Sequence, residues 1–490
     1  MDVAREATVE TKAAIRLPRL SLAQLWSFVA VTLPALATLA FPPSSIDLAY
    51  HLRTGDLMLE SGALPRTDPF SFTAQGQPWL DQQWGSQVLL AGTFRAGGWA
   101  ALGALRLGLT ALLFFLIYKA VRAAGADRRR AAWLTLGSFA VSLGGLIDLR
   151  PQLFGMVLFA LVLWILAGRQ EQPGRLWMIP VATAIWSNLH GSYFLAPLLV
   201  LLAWIDDRSH GSTRARKTLL IAALSLAATV ANPFGLLVWP YAWGVATHPW
   251  VSEVISEWQP PTLDSVEGSM FFLSAALVVA FLARRVRPTP WPVLLTLGAF
   301  LGMGLLAIRG TIWWGLVLAP VLARLVAARP SERQPRDEPS MANTGIAAVI
   351  VLATVAGFLP WLGVRSQTAP PTRVVSDAPY EMTAALNDHL GPGDRMFNPQ
   401  IWGSWFIFAL PQHPVFVDSR IEVFPEEVWD DHDVVSTGRE GWQRVLDRWG
   451  VDVVVLHRFE QEELIPRIRR DPGWKNVYED TEGLVFVRIP

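Results

Sequence analysis

The chain has no cysteine in its 490 residues. That excludes a disulfide framework, a thiolate nucleophile and any Cys-ligated metal. Charge is also scarce, at 17% of residues, and the net charge is zero, which argues against a nucleic-acid partner. No Ser-His-Asp spacing, P-loop or dinucleotide fingerprint stands out, and no internal repeat is visible. What fills the chain instead is apolar: 52% hydrophobic residues, a mean hydropathy of +0.33 and 23 tryptophans. Apolar runs near the ~20 residues needed to cross a bilayer recur along it, and Trp favours both membrane–water interfaces.

The apolar runs predict about eleven spans, near 22–42, 99–118, 131–147, 152–168, 176–188, 191–205, 218–231, 268–283, 289–307, 311–327 and 345–363. Segments 176–188 and 191–205 are short enough to be one broken element or two tilted helices. Segment 84–97 is apolar but short, and reads as an interfacial or re-entrant helix. The first run, preceded by Arg5, Lys12, Arg16 and Arg19, is read as an uncleaved helix rather than a signal peptide. Basic clusters follow at Lys119/Arg122/Arg128–Arg130, Arg169/Arg175, Arg208/Arg214/Arg216/Lys217, Arg284/Arg285/Arg287 and Arg324/Arg329/Arg333/Arg336. With the N-terminus inside, every cluster falls on the cytoplasmic side, as the positive-inside rule asks. The reading is a polytopic α-helical protein of the cytoplasmic (inner) membrane, residues 1–363, surrounded by membrane lipids. An extracytoplasmic soluble α/β domain follows at 364–490, with helices at 379–390, 440–449 and 459–469 and strands at 414–417, 451–456 and 484–488.

The outer side then holds the unusual ionisable residues, which are costly at a membrane face and usually kept for a task. The first outer loop, 43–98, carries Asp47-Leu-Ala-Tyr-His-Leu-Arg53. Asp47 suits an N-cap for a helix starting at Leu48, and His51 lies one turn on. Asp68-Pro69 reads as a turn, and Asp81, between Trp79 and Trp84, as an interfacial anchor. Asp148-Leu-Arg150 fits a local ion pair or a catalytic group. His190, beside Gly191, is a buried histidine or a ligand contact that a glycine lets close. Glu253 and Glu257 sit four apart and would repel on one helical face without a cation nearby. Arg309 either snorkels or binds phosphate. Asp47, Asp148 and Glu257 together offer oxygen ligands for a hard divalent cation, Mg2+ or Mn2+, and metal-independent catalysis is the other option.

These residues resemble the GT-C superfamily of membrane glycosyltransferases, which use polyprenyl-phosphate-linked sugars, and within it the catalytic subunit of oligosaccharyltransferase. Asp47 and Arg53 keep the spacing of that family's first-loop Asp-Pro-Trp-Phe-Asn-Tyr-Arg, and Gly62-Ala-Leu-Pro65-Arg-Thr-Asp68-Pro69 is similar to its continuation. Val254-Ile-Ser-Glu257-Trp-Gln-Pro-Pro-Thr262 is similar to its Ser-Val-Ser-Glu-His-Gln-Pro-Thr-Thr. Arg309 with Trp313, Trp314 and Pro320 looks like its Arg-bearing late helix, and Trp402-Gly-Ser-Trp405 and Val417-Asp418-Ser-Arg420 like its C-terminal motifs. The Trp402 segment lacks the family's Asp, so protein N-glycosylation is not implied.

The resemblance implies a hexosyl- or pentosyltransferase working in one inverting step at the outer face, with a lipid, glycan or protein acceptor. Asp47 would be the catalytic carboxylate. His51, Arg53, Arg150, His190, Arg309, Trp402, Asp418 and Arg420 would bind substrate. A transporter or lipid-linked-sugar flippase is the alternative. A non-catalytic scaffold is a third reading, and it requires Asp47, Glu257 and Arg309 to lie far apart.

Overall fold

The computed structural model describes residues 19–146, 148–247, 255–327, 337–362 and 375–489. Helix α1, Leu22–Ala40, starts at a capping box: Gln24 N donates to Ser21 Oγ, and Ser21 N donates to Gln24 Oε1. Helix α2, Ser45–Ser61, ends at Gly62, whose φ of 65° is the left-handed cap that glycine adopts without strain. Helix α3, Trp84–Ala123, is bent where Gly97 and Gly98 leave helical geometry, with Gly98 at φ 59°. Gly97 and Gly98 break the helix into two, so segment 84–97 is a short helical arm of its own ahead of the longer one, as its length suggested. The second arm alone, at 1.5 Å per residue, is about 37 Å long, enough to cross a bilayer.

The bundle continues through α4 (Arg128–Ser142), α5 (Pro151–Ala167), α6 (Met178–Trp186), α7 (Leu195–Ser209) and α8 (Ala215–Ala228). After α9 (Val238–Ala246) come α10 (Val266–Ala283), α11 (Trp291–Leu306), α12 (Ile308–Ala327) and α13 (Met341–Leu362). All eleven expected spans coincide with helices, and α6 and α7 are separate, joined through a 3-10 turn at Gly191–Phe194. Among the described residues, five helices are long and apolar enough to cross a membrane: α1, α3, α10, α12 and α13. Among these, 72% of the apolar window of α12 is buried against 11% of that of α13, so α12 is the inner post and α13 the periphery. Helix α3 packs on α1, α2 and α5, and α12 packs on α4 and α11.

The C-terminal unit begins with α14 (Tyr380–His389), β1 (Met396–Phe397) and α15 (Gln400–Ala409). It continues with α16 (Glu426–Ser436), α17 (Trp442–Trp449), β2 (Val453–His457), α18 (Ile465–Ile468), β3 (Trp474–Glu479) and β4 (Gly483–Arg488). Its sheet runs β1-β2-β4-β3, parallel between β1 and β2 and antiparallel elsewhere. Two expectations need correction. Residues 459–469 form a turn and the single-turn α18 rather than a full helix. Residues 414–417 are not a full strand: Val415 alone makes a parallel bridge to Met396 of β1. On its other side Val415 N donates to Phe70 O at 3.0 Å and Phe72 N to Val415 O at 3.3 Å, so the first outer loop is its second backbone partner. The C-terminal unit is thereby joined to residues 70–72.

Candidate active site

Ser44, not Asp47, caps α2: its hydroxyl accepts from Ile46 N, and its own N–H donates to Asp148 Oδ1 at 2.9 Å. The helix starts three residues earlier than expected. That places Asp47 in the first turn, where the amide dipoles favour a carboxylate, and the Ser44 bond docks this turn on the 148–150 link. Asp47 Oδ2 then meets Arg150 Nε at 3.1 Å. Arg150 also donates from Nη2 to Asp148 at 2.8 Å and from Nη1 to Glu257. The second oxygen of Glu257 takes Arg309 Nη2 at 3.0 Å, and the Arg309 guanidinium lies 4.4 Å over the Trp258 ring. Three stretches far apart in sequence and the start of α12 so form one continuous chain of charges. Asp47, Glu257 and Arg309 are linked by direct contacts, which the scaffold reading forbids.

The donor set does not fit the divalent cation expected of Asp47, Asp148 and Glu257. Those carboxylates do converge, but on the Arg150 guanidinium, each taking a different nitrogen. Among the described residues no group of three His, Asp or Glu is arranged to hold a metal ion. Glu253 lies outside the described residues, so its expected repulsion with Glu257 goes with it. Glu257 itself sits in a short 3-10 turn, Ser256–Trp258.

The other expected contacts divide. His51 is buried beneath Asp47, and its Nδ1 meets Gln87 Nε2 at 3.1 Å. The same amide nitrogen donates to Asp81 Oδ1 at 3.1 Å. Burial, helped by the nearby Arg150 charge, holds the His51 imidazole down to about 3, and burial pushes the Asp81 carboxyl up to about 7. Asp81 is thus an interior group and not the interfacial anchor its Trp neighbours suggested. His190 is half-buried: Nδ1 meets Ser192 Oγ at 2.7 Å, and burial with the Arg309 charge lowers it to about 3. The gap beside it is closed, since a Cβ on Gly191 would lie 2.6 Å from Gln82 Nε2. Arg53 leaves the site altogether, pairing with Asp56 at 3.3 Å and Glu60 at 3.9 Å.

Trp402, Asp418 and Arg420 are buried rather than spread over the site. Trp402 packs against His457 and Phe406 in the C-terminal core. Arg420 pairs with Asp418 and with Asp68, the latter at 2.7 Å, and its guanidinium lies over Phe70 and Trp79 at 5.0 and 4.6 Å. Asp68 does form the expected turn, accepting from Phe70 N and Ser71 N. It also fastens the first loop to the C-terminal unit.

No family model matches the chain, and no curated protein does. Among solved structures, the chain is similar to ArnT from Cupriavidus metallidurans bound to undecaprenyl phosphate. The match covers 94% of this chain and 97% of that one at 14% identity, with a TM-score of 0.48. At that similarity the functional reading rests on the side chains described above.

Sequence reasoning missed several groups next to the site. Tyr241 in α9 donates to Glu422 at 2.8 Å, and both line a cavity of about 460 Å³ with Arg66, Trp79 and Phe234. Arg66 lies 4.8 Å over the Phe234 ring. Burial raises the Glu422 carboxyl above its ordinary value. Tyr50, one turn beyond Asp47, lies within range of the charges of both Asp47 and Glu422. The signal for Glu422 was its place two residues beyond Asp418-Ser-Arg420. For Gln87 there was none, because a glutamine inside an apolar run reads as tolerated polarity.

Proposed function

We propose that the chain is a membrane glycosyltransferase that moves a sugar from a polyprenyl-phosphate-linked donor to an acceptor at the outer face of the cytoplasmic membrane. The observation that carries the reading is the Asp47–Arg150–Glu257–Arg309 chain, in which a half-exposed carboxylate stands beside two guanidiniums at one end of an apolar bundle. Arg309, stacked on Trp258, binds the donor phosphate, and Arg150 neutralises charge as the phosphate departs. Asp47 orients the acceptor hydroxyl and takes its proton. The acceptor oxygen forms its bond to the anomeric carbon while the carbon–oxygen bond to phosphate breaks. The bond electrons leave with the polyprenyl phosphate, and the single displacement inverts the anomeric centre. The aromatic-lined cavity around Tyr241 and Glu422 receives the acceptor, with the C-terminal unit as its wall.

The direct experiment supplies polyprenyl-monophosphate- and diphosphate-linked sugars to membranes carrying the full chain and follows loss of sugar from the lipid. Asp47→Asn should slow the loss by about 10²- to 10⁴-fold, the range a positioned acid–base group contributes. Undiminished transfer in a variant that still folds overturns the assignment.

A further inference from the structure

At the other end of α3 from Gln87 lies a second cavity, of about 650 Å³, that plays no part in the chemistry above. Lys119 and Arg122 from the last turns of α3, Arg128 from the start of α4, and Arg175 from the 173–177 turn line it. Arg106 of α3 bonds the Phe41 and Leu146 carbonyls next to the Asp47 site, and from there to Lys119 the helix rises about 20 Å, so this cavity lies toward the opposite end of the bundle. None of the four cations makes an ion pair among the described residues. Lys119 and Arg175 share the ring of Trp164, at 5.9 and 4.7 Å from its centroid, which holds two like charges beside one another. One carboxylate, Glu171, stands on the same wall. Simple positive-inside bias calls for basic residues at this end of the helices but does not call for a concave wall of them.

We propose that this cavity binds a phosphate group, such as the headgroup of an anionic phospholipid of the leaflet opposite the Asp47 site. Four cations line the cavity against one lining carboxylate, with Asp337 in electrostatic range of Arg128 alone, so the others repel each other unless an anion sits among them. The volume exceeds a bare phosphate and leaves room for the glycerol that carries one. Trp164, which carries two of these cations on its ring, is of the residue type that favours the headgroup region.

The test uses the full chain in an uncharged detergent and native mass spectrometry with phosphatidylglycerol and phosphatidylcholine of matched acyl chains. Inorganic phosphate at millimolar concentration is the competitor. Phosphatidylglycerol should be retained over phosphatidylcholine, and the Lys119→Gln/Arg175→Gln double variant should lose about tenfold or more of that retention. Glu171→Gln should increase it. Arg122 is left in place because it donates to the Ala126 carbonyl at the end of α3. Loss of sugar from lipid-linked donor, measured on the same double variant, should be unchanged in detergent, which separates this site from the Asp47 reading. Phosphate displacing the lipid shows that the headgroup phosphate is what is recognised. Phosphate binding without lipid retention assigns a soluble phosphate compound instead. Equal retention of both lipids together with no effect of phosphate overturns the proposal, as does unchanged retention in the double variant.

Discussion

Gln87 stands between two groups that titrate in opposite senses. His51 is held down to about 3 in the folded chain from an ordinary 6.5, so between those values the unfolded chain binds more protons. Its contribution to stability is present above pH 6.5 and lost as the pH falls toward 3. Asp81 is pushed up to about 7 from 3.8, so across that window the folded chain binds more protons. Its contribution is present below 3.8 and lost as the pH rises through 7. Asp81→Asn, which stays neutral and keeps an acceptor for Gln87, should match the parent near pH 4 and exceed it near pH 8. The gain is at most about 4 kcal/mol for a shift of that size. Thermal unfolding in detergent across pH 4–8 checks this, and parallel curves for the two proteins would show that Asp81 is not protonated in the fold. Arg309→Lys tests the phosphate contact. A compact ammonium loses the planar stacking on Trp258, so the KM for lipid-linked donor should rise about tenfold while thermal stability is kept.

Helical geometry explains which members of one element reached the site. Asp47 and His51, four residues apart, share a face of α2, whereas Arg53 lies about 240° round the helix from Asp47 and turns to Asp56 and Glu60. The matched Asp–Arg spacing was legible in the sequence, but the direction of each side chain depended on where α2 begins. Ser44 set that start. Residues 414–417 show the same limit in another form. Their pattern points to a strand, and Val415 does bridge Met396 of β1, yet its other partner is the loop at 70–72, some 340 residues away, and no local signal names it. The Asp68–Arg420–Asp418 cluster lies along this seam. Arg420→Met leaves two carboxylates buried without their cation and should cost about 3–5 kcal/mol. Calorimetry should show the loss. A variant as stable as the parent would mean that the cluster does not hold the two parts together.

For the molecule as a whole, apolar runs placed eleven helices, though not α9 and not the extent of α2, because only helices with long apolar runs announce themselves this way. Which ionisable residues would meet was partly legible, since Asp47, Asp148, Arg150, Glu257 and Arg309 all fell on one predicted side. That a guanidinium would occupy the middle was not, since a list of carboxylates is silent about what they surround. The sidedness itself is open to a clean experiment, as the chain has no cysteine to mask. Thr213→Cys, between α7 and α8, and Asp388→Cys, in α14, place single thiols at exposed positions. A membrane-impermeant maleimide should label Asp388→Cys in intact spheroplasts and Thr213→Cys only after permeabilisation. Equal labelling of both without permeabilisation contradicts the proposed orientation.

The clasp around Arg150 has a kinetic meaning. Under the proposed function, a donor phosphate entering this site would find its guanidiniums already partnered and would bind by exchanging with Glu257 and Asp148. Such exchange would keep the net gain small at both ends of the cycle: the donor would be held loosely, and the spent polyprenyl phosphate would be displaced by the returning carboxylates. Removing a competing carboxylate should therefore tighten product more than it helps turnover, with Glu257→Gln showing stronger inhibition by free polyprenyl phosphate and a lower kcat. Weaker product inhibition in that variant would indicate that Glu257 holds the ligand rather than competing with it.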